Sequence, residues 1–122
     1  MVNYEVTGMS VKDLYRRLKR GQIVLESRHC REIAERDIEL LLRGVISGIP
    51  FPTIVLMNET NGYRVILGGA VLLVLKALLE SSVYEELDDA YKFIVMRHCF
   101  YVNVVTDRDS VATIEEVFDK FK

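Results

Sequence analysis

The sequence predicts an α+β domain of mixed α/β character, with helices packed on a small mixed sheet. Three observations predict it. Apolar residues recur at helical spacing in several segments, short β-branched runs stand between those segments, and Gly, Pro or Asn-Gly punctuates most junctions. The chain has 122 residues, 50% of them apolar and 28% charged. That is a globular composition, of a length that closes one core.

The first helix opens at Ser10, three residues before Asp13, where a serine hydroxyl can accept from an orphan backbone N–H. Val11, Leu14, Tyr15 and Leu18 share one face, and Gly21 supplies a stop. Lys12, Arg16, Lys19 and Arg20 line the opposite face, with Arg17 beside them. Ahead of this helix, Gly8 is read as a break. Ile23–Leu25 is a short strand, followed by a polar loop from Glu26 to Glu35. A second helix places Ile38, Leu41, Leu42 and Val45 on one face, with Gly48 ending it and Pro50 preventing its restart. Thr53–Met57 and Tyr63–Leu67 form a β-hairpin around Asn61-Gly62. Gly68-Gly69 then leads into Ala70–Leu79, a helix apolar on every side and so buried against the sheet. Tyr84–Tyr91 reads as a short amphipathic helix, and Phe93–Val105 as a long strand bent near Arg97–Cys99. Asp109 or Ser110 caps a last helix whose Ile114, Val117, Phe118 and Phe121 share a face. The expected order is α-β-α-β-β-α-(α)-β-α.

A net charge of −2 excludes a protein that wraps nucleic acid by bulk charge. Charge is nevertheless uneven. Residues 1–43 hold nine basic and seven acidic groups, whereas residues 80–122 hold five and ten. The basic helix face with Arg28, Arg31 and Arg36 is either a contact for nucleic acid or an acidic protein, or a solvated surface. The longest apolar run, Ala70–Leu75, is broken by Lys76 and falls short of the roughly 20 residues a membrane span needs. Met1–Val6 lacks the form of a secretory signal. The expectation is a cytoplasmic protein with no membrane partner.

Two cysteines, Cys30 and Cys99, are too few for a disulfide scaffold; the expectation is a reduced, buried pair, with a single bridge left open. Arg-His-Cys occurs twice, at Arg28–Cys30 and Arg97–Cys99. These are zinc-type residues at a spacing that turns neighbours to opposite faces of an extended chain, so no metal site is assigned. Glu85, Glu86, Asp88 and Asp89 read as a solvated acidic face, and Asp107 and Asp109 as turn and cap residues.

Two stretches together resemble a known family. A strand, an Arg-containing polar loop and an amphipathic helix lead into Ser47-Gly48-Ile49-Pro50-Phe51-Pro52 and another strand. Tyr63-Arg64-Val65-Ile66 then enters a Gly turn and a buried helix. This is similar to the ParB/sulfiredoxin-like superfamily, and most similar to the GmrS-type domain of modification-dependent restriction enzymes. The likeness extends from about Ser10 to Phe121. It implies a small ParB-like domain whose turn-to-helix junction cradles phosphate: Gly68 and Gly69 would offer backbone amides, and Arg28 or Arg31 the counter-charge.

The family's Asp-Gly-Gln-Gln-Arg motif is degenerate here. Leu67-Gly68-Gly69-Ala70-Val71 keeps the first glycine but neither acid, amides nor arginine, and sulfiredoxin's Gly-Gly-Cys-His-Arg is matched only at its glycines. Without a local general base or fixed cation, turnover should be lost. No catalytic residue and no cofactor are assigned. The resemblance then implies a domain that acts by binding, to DNA or a DNA-associated protein complex. The candidate anion site is Gly68, Gly69, Arg28 and Arg31, and the candidate nucleic-acid face is Lys12, Arg16, Arg17, Lys19 and Arg20. Two alternatives stand beside it. One is an active nucleotide-dependent hydrolase or nuclease using the Arg28–Arg36 loop and His98. The other is a self-assembling module, such as a homodimer.

Overall fold

The structure is a computed structural model that describes residues 4–26 and 29–120. In chain order the elements are β1 (Tyr4–Ser10), α1 (Val11–Lys19), β2 (Ile23–Val24), α2 (Glu35–Ser47), β3 (Ile54–Glu59) and β4 (Gly62–Leu67). They continue with α3 (Gly69–Leu79), α4 (Ser82–Glu85), α5 (Asp89–Arg97), β5 (Cys99–Val105) and α6 (Arg108–Lys120). The five strands form one mixed sheet in the order β1-β5-β3-β4-β2. β1 is antiparallel to β5 and β3 to β4, while β3 runs parallel to β5 and β2 to β4. This is the α+β architecture the sequence predicts.

The main core lies on one face of the sheet. Ile23, Ile54, Leu56, Val65, Phe100, Val102 and Val104 project from the strands against α1, α2, α3 and α5. α3 is the central helix. Its Leu72, Leu75 and Leu78 are fully buried, each stabilising the fold by roughly 1.5–3 kcal/mol relative to an exposed side chain. Val11 and Leu14 of α1 and Val45 of α2 close around it. On the opposite face the described residues form a smaller cluster, where Val55, Met57, Ile66 and Val105 meet Val111 of α6, with Leu67 and Ile114 partly buried beside it. Among the described residues no helix is long and apolar enough to cross a membrane.

Several expectations are corrected. The segment before α1 is a strand: Gly8 does not break it but sits extended, paired with Tyr101. The run from Phe93 is not strand until Cys99. Residues 93–97 belong to α5, and the anticipated bend is the helix-to-strand junction, where the His98 N–H donates to the carbonyls of Ile94 and Val95. Burial of Val95 against the main core outweighs the β propensity of Phe-Ile-Val. The single helix expected over Tyr84–Tyr91 is instead the one-turn α4 and the start of α5.

Both cysteines are exposed and free rather than buried. α6 begins at Arg108, and its cap is Asp107, whose Oδ1 accepts from the Ser110 N–H at 2.7 Å. Val117 and Phe118 of that helix are exposed, so its apolar face is packed only at Val111 and Ile114; Phe121 lies outside the described residues.

Candidate functional site

Strand direction gathers the chemistry-bearing segments at one end of the sheet. β1, β2 and β4 finish there, while β3 and β5 begin there. That end therefore carries Ser10, the loop after β2, the 48–53 segment, Gly68-Gly69 and His98-Cys99. The N-termini of α1 and α3 both lie at it, and helix N-termini carry partial positive charge. The α1 terminus is satisfied internally, since the Ser10 hydroxyl accepts from the Asp13 N–H at 3.1 Å and the His98 carbonyl accepts from the Val11 N–H at 2.8 Å.

The α3 terminus is built differently. Gly68 holds a left-handed φ of 89°, and no side chain among the described residues caps the helix. A Cβ on Gly68 would come 2.9 Å from Ile54 Cγ1 and 3.1 Å from Ile54 Cα, so glycine is required both by its backbone angle and by its neighbour. At Gly69 an added Cβ would run into the imidazole of His29. The His29 Nε2–H donates to the Val65 carbonyl at 3.2 Å, which pins the loop after β2 across the strand-to-helix turn.

The sequence-predicted residues separate on this frame. Gly68 and Gly69 sit at the turn, and the polar loop does approach them, through His29 rather than an arginine. Arg31 points to the start of α2, with Nη1 3.2 Å from Asp37 Oδ2. Arg28 lies outside the described residues. Sequence reasoning missed the packing of His29 on Gly69; the only signal for it is a lone imidazole between two arginines opposite a side-chain-free position.

On α1, Lys12, Arg16, Lys19 and Arg20 are exposed as expected and Arg17 is half-buried. Three of the five are engaged by neighbours: Arg16 pairs with Asp13 at 2.8 Å, the Arg17 guanidinium lies 5.5 Å from the Tyr63 ring centroid, and Lys19 lies over the Tyr15 ring. Among the described residues Lys12 and Arg20 form no ion pair. Glu80 borders the face. It accepts from Lys76 Nζ at 3.1 Å and the Tyr15 hydroxyl at 3.2 Å, and the Lys76 hydrogen bond leads the effects that hold its carboxyl below the usual range.

A cleft of about 270 Å³ at the same end is lined by Ile49, Phe51, Thr53, His98, Phe100 and Tyr101. The Ser47–Pro52 segment shapes it. Gly48 at φ 70° ends α2, and the chain then turns Phe51 back against Gly44 and the His98 ring, whose centroid is 5.8 Å away. Phe100 completes the aromatic cluster at 5.1 Å from both rings. Burial among these rings pushes the His98 imidazole below its ordinary pKa. Cys99, the next residue, also lines this cleft and donates its thiol to the Arg97 carbonyl at 3.6 Å. Among the described residues no three His, Cys, Asp or Glu side chains converge as metal ligands.

No family model, curated protein or solved structure matches the chain.

Proposed function

We propose that the chain is a catalytically degenerate ParB-like domain that acts by binding nucleic acid, or a protein complex that handles it. The observation that carries this reading is the entrance to α3. A strand enters a buried helix through a left-handed glycine, no side chain among the described residues caps the helix, and Gly69, Ala70 and Val71 bring neither acid nor cation to its first turn. Backbone amides at such a terminus attract an anion without offering a group to move a proton. The basic face of α1 supports the same reading, because its Lys12 and Arg20 are exposed and left for a partner's charge.

Titration of the labelled protein with a short DNA duplex, followed by backbone amide shifts, tests the proposal. Shifts are expected at Gly68, Gly69 and Ala70 and along α1, with affinity falling steeply as salt rises. Lys12→Glu and Arg20→Glu should weaken binding and each lower the salt slope by about one. Absence of binding at millimolar ligand overturns it. Mg²⁺-dependent hydrolysis of a nucleotide or of DNA, lost in His29→Ala, would instead establish the enzyme reading.

A further inference from the structure

The two edges of the sheet are unlike. An edge strand presents unpaired N–H and C=O groups, and proteins ordinarily blunt it with shortness, lysine, proline or a bulge. β2, at one edge, is only two residues long. β1, at the other, has seven residues in unbroken register with β5, from Tyr4 opposite Val105 to Ser10 opposite Cys99. It contains no lysine or proline, and its one charge is Glu5. The apolar side chains beside that edge, on the face that α6 covers only in part, remain open: Tyr101 is 77% exposed, Val6 61% and Tyr4 57%.

We infer that β1 pairs with β1 of a second copy of this chain, antiparallel about a two-fold axis normal to the sheet at Thr7, so that two five-stranded sheets become one of ten strands. Such an axis keeps both sheets the same way up, so paired residues must share a face and their numbers must add to an even total. The register centred on Thr7 meets that condition and also pairs all seven residues of the strand. It sets Val6 opposite Gly8 of the second copy and Glu5 opposite Met9, so the strand's only charge never meets its own image.

The same register accounts for Tyr101. That ring stands beside Gly8, where an added Cβ would meet nothing within 4 Å, leaving an empty strip along the edge. Pairing brings the second copy's Val6 to the far side of the strip, and Tyr101 and Val6 close over the glycine, once on each side of the axis. A strand from another protein could use the same hydrogen-bonding edge, but this match of charge and glycine position belongs to β1 against itself. The inference stands apart from the nucleic-acid reading.

Sedimentation of the full chain from micromolar to millimolar concentration tests it, and a dimer is expected. Thr7→Lys places two lysines face to face on an exposed edge and should weaken that dimer about fivefold or more without loss of the folded monomer's circular dichroism. The register has its own readout. With Cys30 and Cys99 replaced by Ser, Thr7→Cys should form a disulfide-linked dimer on mild oxidation, since directly opposed Cα atoms lie about 4.5–5.5 Å apart. Glu5→Cys should not, because four residues of stagger separate its two copies by about 13 Å. A chain that remains monomeric throughout, or one that crosslinks as readily at position 5 as at position 7, overturns the inference.

Discussion

The imidazole of His29 lies over Gly69, anchored by its 3.2 Å hydrogen bond to the Val65 carbonyl, and occupies the space a side chain at position 69 would need. His29 and the first turn of α3 are thereby packed together. Gly69→Ala forces ring and loop away and should destabilise the fold by about 1–3 kcal/mol. In a His29→Ala background the obstruction is gone, and alanine, the better helix former, should be neutral or stabilise by up to about 1 kcal/mol. Chemical denaturation of the four proteins of this cycle reads the sign change; equal losses in both backgrounds would show that ring and glycine do not interact.

Gly68 and Gly48 both hold positive φ, at 89° and 70°, but their surroundings differ. Gly48 ends α2 with nothing within 4 Å of an added Cβ, whereas Gly68 faces the backbone and side chain of Ile54. Gly48→Ala should therefore cost about 1–2 kcal/mol, the strain of a left-handed alanine. Gly68→Ala adds a collision inside the core and should cost about 2–4 kcal/mol. Denaturation midpoints at constant slope measure the difference.

How legible these features were depends on how local they are. The Ser10–Asp13 cap, the Val11, Leu14 and Leu18 stripe and the glycine stop of α2 are set by neighbours three or four residues apart, and each is where the sequence puts it. The helix after Gly68-Gly69, apolar but for Lys76, is equally plain, because no other packing hides so many hydrocarbon groups. β1 was hidden because Gly8 weakens its alternation and its stability comes from pairing with residues some ninety positions away. Phe93–Arg97 misled for the opposite reason: strong local β propensity yields to the packing of Val95 in the main core. At the candidate site the glycine turn was legible, but the ring covering Gly69 comes from forty residues earlier, and no periodicity encodes that contact.

Cys30 and Cys99 are exposed and free, contrary to the buried pair expected of two isolated cysteines. Both thiols should therefore react with an aromatic disulfide reagent in the native protein, without denaturant. Cys30→Ser and Cys99→Ser should each remove one reacting equivalent. A thiol that titrates only after unfolding would contradict its exposure.

His98 should make the fold sensitive to mild acid. Its ring is enclosed by Phe51 and Phe100, and desolvation lowers its pKa below the ordinary 6.5. Arg97, next in the chain, adds no negative charge that would favour the imidazolium. Between the folded and unfolded pKa values the unfolded chain binds more protons, so stability rises with pH across that window. The contribution is complete above the unfolded value and is lost as pH falls through the folded one. Glu80, held low chiefly by its hydrogen bond from Lys76, acts with the same sign, but only below its ordinary 4.5, whereas the His98 loss begins higher, below 6.5. The melting temperature should therefore begin to fall as pH drops below about 6.5. His98→Phe keeps an aromatic ring between Phe51 and Phe100 and removes the proton site. Its melting temperature should fall less than the parent's as pH drops from about 6.5 toward the carboxylate range. An unchanged pH profile in that variant would assign the acid sensitivity to another group.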